Sequence, residues 1–172
     1  MLHAPSPRAR RQVDLLAIAE GFAVSAGGIT GLRGLEARAW ILLAATDLFE
    51  AWAIGWPPGG RIDLHDHGLS RGAVVVAEGV LTEVSVEADH PGPAVMTTRR
   101  LRAGDHRQFG PHYVHDVNNY GQADAISVHV YGPRLTSMTY YEPDRDGRPD
   151  PVRTEEIEPV GPFDTTGAHD PS

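Results

Sequence analysis

The feature that most limits the possible folds is a series of short β-forming runs separated by glycine- and proline-containing turns. The series begins after Leu48 with FEAWAIGW and the turn PPGG, and RIDLHDH is the next extended run. GAVVVAEGVLTEVSVE is predicted to be a hairpin that turns at Glu78-Gly79. Further strands are predicted at 95–102, 106–109, 112–117 and 124–131, and in SMTYYEP from Ser137. This pattern indicates an all-β sandwich or barrel.

The N-terminal part of the chain is predicted to be helical. Residues 9–25 have the spacing of an amphipathic helix that ends at Gly27-Gly28, and a second, Ala-rich helix is predicted over Leu35–Ala44. The basic and then apolar start also resembles a secretory signal. Asp14 and Glu20 interrupt its apolar part, so we expect a cytoplasmic protein.

The two ends of the chain are expected to be less ordered than its centre. Residues 1–8 contain two prolines, and the sequence after Pro143 is rich in Pro, Gly and acidic residues, which is typical of a loosely ordered tail. The predicted division is an N-terminal helical segment (1–34), a β-barrel (35–143) and a C-terminal tail (144–172).

The composition excludes several classes of function. The 172 residues are enough for one domain with a core, and the net charge of −8 argues against binding to nucleic acid or to an anionic membrane. No apolar run is long enough to span a bilayer. The chain has no Cys, which excludes disulfides, a thiolate metal site and a cysteine nucleophile.

His65 and His67 form the first candidate site, because residues two apart on a strand point to the same face. A shared metal ion would explain why two imidazoles crowd one pleat. A third ligand is expected from a distant strand, although a lone histidine is more often a hydrogen-bonded structural residue. The candidates are His90, His106, His112, His115, His129 and His169. His115 lies in an apolar, extended stretch, where an imidazole needs partners for its nitrogens.

AISVHVYG is the second candidate site. Ser127, His129 and Tyr131 alternate with two valines, so the three polar side chains share one face of the predicted strand. On the interior side of a barrel they would form a relay in which Ser127 orients His129, and His129 holds the Tyr131 hydroxyl near the metal. The alternative is an exposed edge strand whose valines pack inward.

The region around the histidine pair resembles a known motif. Gly59, His65, His67 and Gly79 match the first cupin motif, G-x5-H-x-H-x3,4-E-x6-G. Gly72 stands at the position of the motif's Glu. The sequence therefore lacks the one carboxylate ligand that the motif contains.

A second stretch resembles the other cupin motif, G-x5-P-x-G-x2-H-x3-N. Gly104, His115 and Asn119 match it, whereas Gly110 and His112 replace its internal Pro and Gly. The resemblance implies a cupin fold, which is a double-stranded β-helix or jelly-roll barrel, here with short N-terminal helices. It also implies that His115 is the third metal ligand.

In having no Glu at this position, the sequence resembles the thiol dioxygenases of the cysteine dioxygenase family, which hold ferrous iron with three histidines and no carboxylate. SVHVYGP, from Ser127, is similar to that family's Ser-x-His-x-Tyr strand and the proline turn after it. The resemblance covers roughly residues 35–142 and is greatest to bacterial members. It implies Fe(II) held by His65, His67 and His115, and oxidation of a small carboxylate-bearing thiol, such as cysteine or 3-mercaptopropionate, to its sulfinic acid by dioxygen.

The resemblance also implies a cation for the substrate carboxylate. Arg38 falls at the position of the arginine that serves this purpose in mammalian members, counting back from Trp56 without gaps, and Arg71 and Arg134 are alternatives. Mammalian members crosslink a Cys to the active-site Tyr. Because Gly72 stands at that position, Tyr131 is expected to be unmodified.

Two other functions are compatible with the motifs. One is a non-catalytic metal-binding cupin that senses or stores a small ligand, and the other is a zinc or manganese cupin that acts as an isomerase or hydrolase. The Ser–His–Tyr relay argues against binding alone, since binding needs no positioned phenol. The expected partners are the thiol and dioxygen, with the protein as a monomer or weak homo-oligomer.

Overall fold

The structure is a computed structural model that describes residues 13–87 and 93–158. These residues contain one α-helix, α1 (Leu15–Ala26), a 3₁₀ turn (Thr30–Leu32) and eleven strands. The strands are β1 (Ala39–Ala45), β2 (Glu50–Trp56), β3 (Arg61–His65), β4 (Arg71–Glu78), β5 (Val80–Glu87), β6 (Val95–Arg102), β7 (His106–Phe109), β8 (Val114–Asn118), β9 (Ala125–Gly132), β10 (Ser137–Pro143) and β11 (Pro149–Glu156).

The strands form two antiparallel sheets that pack face to face. The five-stranded sheet has the order β1-β2-β9-β4-β7, and the six-stranded sheet has the order β11-β10-β3-β8-β5-β6. One buried apolar cluster combines Trp56 and Val76 of the first sheet with Leu81 and Val117 of the second. The predicted all-β fold is therefore confirmed, and most strands lie where the sequence predicts them.

Helix α1 covers the outer face of the five-stranded sheet. The Asp14 side chain caps the helix by accepting a hydrogen bond from the Ala17 N–H at 3.1 Å. Leu15 and Ala19 are buried against small and β-branched residues of β4 and β9. The first helix thus begins later than predicted, at Leu15 instead of residue 9 (residues 9–12 lie outside the described part), and it ends at Ala26, next to the predicted Gly27-Gly28.

The second predicted helix, Leu35–Ala44, is wrong, because this stretch contains β1. Ala39–Ala45 pairs antiparallel with β2, from Ala39 opposite Gly55 to Ala45 opposite Glu50. Its alanines favour a helix in isolation, but AWILLAA is also apolar enough to extend a buried sheet, and pairing with β2 outweighs local propensity. The N-terminal region consequently has one α-helix and one 3₁₀ turn, where helices were expected.

The predicted hairpin at Glu78-Gly79 is also wrong. β4 pairs with β7 and β9, whereas β5 pairs with β6 and β8, so the chain crosses from one sheet to the other at Gly79. Gly79 has φ +76, and a Cβ there would lie 2.7 Å from the Asp124 carbonyl oxygen. A glycine is needed at this crossing for the same reason as in a tight turn, which explains the misleading signal.

The tail is more ordered than expected after Pro143. β11 pairs with β10 along its length, from Ser137 opposite Glu156 to Pro143 opposite Pro149. The connecting turn is held by the Asp144 carboxylate, which accepts from the backbone N–H of Asp146 at 2.8 Å. Residues 1–12, 88–92 and 159–172 lie outside the described part, so the expectations for residues 1–8 and the end of the tail are not tested. The division at 34 and 143 stays a prediction.

Candidate metal centre and hydrogen-bond relay

The three histidines predicted to bind a metal converge inside the barrel. His65 ends β3 and stands opposite His115 of β8. His67 lies just beyond the end of β3, where the Asp66 N–H donates to the Thr139 carbonyl oxygen at 2.9 Å and keeps the backbone beside β10. One ligand nitrogen from each histidine lies within 4.8 Å of the others. The three side chains are only 2–3% exposed, so this cluster could hold a metal ion away from water.

The other candidate histidines do not join this cluster. His106 and His112 are exposed, and His129 belongs to the relay described below. His90 and His169 lie outside the described residues. The structure thus selects His115 from the alternatives left open by the strand pattern.

The hydrogen bonds of the cluster direct two lone pairs towards its centre. The Nδ1–H of His65 donates to the Asp63 carbonyl oxygen at 2.8 Å, and the Nδ1–H of His115 donates to Oε1 of Glu83 at 3.0 Å. Both acceptors require the proton on Nδ1. Nε2 of each ring is then unprotonated, and its lone pair can bind a metal. The Nε2 atoms of His65 and His67 are 3.2 Å apart.

The donor set fits a metal ion. Within the described residues, the buried side-chain nitrogen and oxygen atoms without a hydrogen-bond partner are Nδ1 of His67 and Nε2 of His115, both in this cluster. Burial, together with the neighbouring imidazoles, holds the pKa of His65 and of His67 well below the ordinary value. Neutral imidazoles with unused nitrogens are the state that a metal needs.

Glu83 is a site residue that the sequence analysis missed. It is 2% exposed, and its carboxylate accepts hydrogen bonds from His115, Tyr113 and Arg107. Burial by itself would raise the pKa of Glu83, but the hydrogen bond from His115 and the charges of Arg107 and Arg99 hold it below its ordinary value. In the sequence it resembles a surface residue of an amphipathic strand.

Gly72, at the position of the cupin Glu, faces an aromatic ring. A Cβ at Gly72 would lie 2.1 Å from Cζ of Phe109, its partner across β4 and β7. The Phe109 ring stacks on His67 with ring centroids 5.1 Å apart. Phe109 thus fills the space that a carboxylate or thiol side chain at position 72 would need, and it covers one side of the histidine cluster.

The three polar residues of β9 form a continuous chain of hydrogen bonds in the interior. Ser127 Oγ lies 2.9 Å from Nε2 of His129, and Nδ1 of His129 lies 3.1 Å from the Tyr131 hydroxyl. The Tyr131 ring lies 4.8 Å from the His67 ring, which places the phenol beside the cluster. β9 lies between β2 and β4 and all eight residues are buried, so the alternative of an exposed edge strand is wrong.

Trp56 sets the direction of this chain. Its indole N–H donates to Ser127 Oγ at 2.8 Å, which leaves the Ser127 hydroxyl proton to donate to Nε2 of His129. His129 then carries its proton on Nδ1 and donates to the Tyr131 oxygen, so the phenol proton remains available to the site. Burial, with the neighbouring His115 and the charge of Arg38, lowers the pKa of His129 to about 3. Burial raises the pKa of Tyr131, and the negative charge of Glu50 raises it further. The phenol is therefore protonated.

Arg38 lies beside the relay. It is half-buried, and its guanidinium carbon lies 5.2 Å from the Trp56 ring centroid and 5.6 Å from that of Trp40. It lines a groove of about 840 Å³ together with Tyr140, whose ring is 6.0 Å from that of His65. The Arg38 charge contributes to the lowered pKa of His65, after burial and the neighbouring His115.

The two alternative arginines have other surroundings. Nε of Arg134 lies 3.4 Å from Oε2 of Glu50, a buried carboxylate that also accepts from the Leu135 N–H. Arg71 lines a cavity of about 560 Å³ beside the first residues of α1.

Two facing antiparallel sheets that enclose a three-histidine cluster define a protein of the cupin class. Residues 33–144 match the family described as Cysteine dioxygenase type I, and the chain belongs to this family. The resemblance inferred from the two histidine motifs and from the Ser-x-His-x-Tyr strand is thereby confirmed.

Solved structures show the same fold at low sequence identity. The protein TT1209 from Thermus thermophilus has a TM-score of 0.50 and 20% identity, over 59% of this chain and 89% of that chain. A sugar phosphate isomerase of the cupin superfamily from Silicibacter pomeroyi has a TM-score of 0.50 and 22% identity, over 67% of this chain and 76% of that chain. At these identities the likeness concerns the fold alone. Among the described residues, no helix has the length and apolar character needed to cross a membrane.

Proposed function

We propose that the protein is an iron-dependent thiol dioxygenase that converts a small carboxylate-bearing thiol to its sulfinic acid. The observation that carries the proposal is a three-histidine cluster without a carboxylate, beside a Ser–His–Tyr relay, in a chain of the cysteine dioxygenase type I family. The net reaction is RSH + O₂ → RSO₂H. Both oxygen atoms end on sulfur, which is oxidised as dioxygen is reduced, so no outside reductant is needed.

His65, His67 and His115 are proposed to hold Fe(II). Neutral imidazole suits iron, zinc, copper and nickel alike, so the choice of iron rests on the family. A bound Fe(II) would supply a site that ionises the thiol and exchanges electrons between sulfur and dioxygen. All three ligands are neutral, so none of them brings a formal negative charge into direct contact with the ion.

Tyr131 is the proposed hydrogen-bond donor to the reacting atoms. Its oxygen accepts from His129, so its own proton can point towards substrate beside His67. The raised pKa keeps that proton on the phenol at neutral pH. Ser127 and His129 act through Tyr131 and are proposed to be positioning residues.

Arg38 is the proposed partner of the substrate carboxylate. Its guanidinium lies against Trp56, whose indole is itself fixed by the bond to Ser127. A guanidinium can bind a carboxylate in two places and so fix the direction in which the thiol enters the cluster. Arg134, whose Nε lies 3.4 Å from Oε2 of Glu50, and Arg71 remain the alternatives.

Dioxygen uptake tests the proposal. The protein is purified without oxygen, loaded with Fe(II), and supplied with cysteine, 3-mercaptopropionate or cysteamine, with His115→Ala as the control. We expect uptake of one dioxygen per sulfinate formed, detected by mass spectrometry, with at least one carboxylate-bearing thiol. Zinc or manganese as the bound metal, without thiol oxidation in the iron-loaded protein, would favour an isomerase or hydrolase. Iron binding without any turnover would favour a binding protein.

A further inference from the structure

We propose that Glu83 is a positioning residue for the metal ligand His115, and that the site gains through it the carboxylate that the chain lacks at position 72. The inference rests on the metal centre of the proposed function. It concerns metal affinity, and it does not depend on which thiol is oxidised.

The two residues are held together by neighbouring strands. Glu83 of β5 lies diagonally across from His115 of β8, which stands opposite Ser85. Both side chains are 2% exposed, and the His115 Nδ1–H donates to Oε1 of Glu83 at 3.0 Å. Among the described residues, Glu83 is the carboxylate that is hydrogen-bonded to an imidazole of the cluster.

The remaining contacts of Glu83 fix its carboxylate. Oε1 also accepts from the Tyr113 hydroxyl at 3.3 Å, and Oε2 accepts from Nε of Arg107 at 3.1 Å. Nη1 of Arg99 lies 3.9 Å from Oε2. A carboxylate held from two sides cannot turn away from His115 without breaking several bonds. It therefore determines both the tautomer and the ring orientation of His115.

The position of this carboxylate explains how the cluster can lack a fourth protein ligand. Phe109 occupies the space beside Gly72 from which a carboxylate would reach the metal directly. Glu83 lies on the far side of the His115 ring, so its negative charge reaches the metal through the imidazole. A carboxylate in this place makes Nε2 a stronger donor, because it stabilises positive charge on the ring.

The first test compares the metal affinity of Glu83→Gln with that of the wild type, using Co²⁺ and Fe²⁺ in competition with a chelator. Gln keeps the volume and one acceptor but removes the charge, so we expect affinity to fall about 10- to 100-fold. Glu50→Gln is the matched control, because Glu50 is equally buried and paired with Arg134 but, among the described residues, is not hydrogen-bonded to a histidine of the cluster. We expect no measurable loss in that variant.

Wild-type affinity in Glu83→Gln would overturn the proposal, and so would an equal loss in Glu50→Gln. A second measurement needs no variant and applies even if Glu83→Gln does not fold. Nitrogen-15 NMR of the metal-free wild type should show His115 protonated at Nδ1 and unprotonated at Nε2. The opposite tautomer would overturn the role of Glu83. Dioxygen uptake tests the proposed reaction separately, so either result can fail while the other holds.

Discussion

The two faces of β9 are buried in opposite ways. Val128 and Val130 point outward to the apolar cluster beneath α1, and both are fully buried. Ser127, His129 and Tyr131 point inward, where they are satisfied mainly by one another and by Trp56. The apolar face supplies stability through burial, whereas burial of the polar groups on the other face is costly unless every hydrogen-bond partner is in place. The comparison indicates that one face of the strand stabilises the fold, while the other carries the residues to which the chemistry is assigned as a proposal.

The largest effect is expected for His115→Ala. His115 belongs to β8 and lies in the interior towards which the polar face of β9 points. We expect the variant to lose stoichiometric binding of Fe²⁺ and all thiol oxidation, because two imidazoles remain where three are needed. The fold should persist, since most barrel burial is apolar. Metal content and circular dichroism measure the two effects. Normal iron content in this variant would show that other groups bind the metal.

Tyr131→Phe should give the next largest effect. Removing one preorganised donor commonly lowers turnover about 100- to 1000-fold, while iron content and thiol affinity should stay near normal. His129→Ala should give a milder loss, and the double variant should be no worse than Tyr131→Phe, because both act through one hydroxyl. Steady-state dioxygen uptake measures all three. Full activity without the hydroxyl would remove Tyr131 from the mechanism.

Arg38→Ala should affect substrates unequally. Loss of a charged hydrogen-bonding partner is worth roughly 1.5–3 kcal/mol, or about ten- to a hundredfold in the apparent KM for carboxylate-bearing thiols. Cysteamine, which has no carboxylate, should be affected much less. The ratio of kcat/KM values for 3-mercaptopropionate and cysteamine is the measurement. Equal losses on both thiols would reject the assignment.

Val130→Ala tests the outer face. It removes two buried carbons from a fully buried side chain, so the free energy of unfolding should fall by about 2 kcal/mol. Turnover and iron content of the folded protein should be unchanged, although Val130 lies between His129 and Tyr131 in the chain. Urea unfolding and dioxygen uptake are compared on the same preparation. A fall in turnover would mean that the two faces are not independent.

The site was more predictable from the sequence than the topology around it. Alternation along β9 and the spacing of His65 and His67 are local signals, and the second cupin motif identified His115. Glu83 was not predictable in this way, because acidic and polar residues alternate with valines along TEVSVE. That pattern indicates a solvent-facing Glu83, yet the interior of this barrel is itself polar at that point. A buried charge becomes recognisable only when its distant partners are known.

The errors in topology also have physical causes. Gly79 permits a positive φ, which serves a hairpin and a crossing between sheets equally well, and the sequence does not say which strand lies alongside. The alanines of β1 favour a helix when the sequence is considered locally. The strand forms because the apolar run AWILLAA pairs with β2, and that pairing is not visible in the local sequence. β11 is not predicted because Pro and acidic residues have low strand propensity. At the edge of a sheet, where β11 lies, both are tolerated, and Asp144 and Gly147 provide the turn that returns the chain to β10.

The contact between Gly72 and Phe109 has an evolutionary consequence. A lone change of Gly72 to Cys or Glu would drive the new side chain into the ring, and a lone loss of the ring would leave a cavity beside His67. Each single step is costly, and only the two together restore a packed site. Positions 72 and 109 should therefore be inherited as a pair, and a lineage that reaches this pair will seldom return to a ligand or crosslink at position 72.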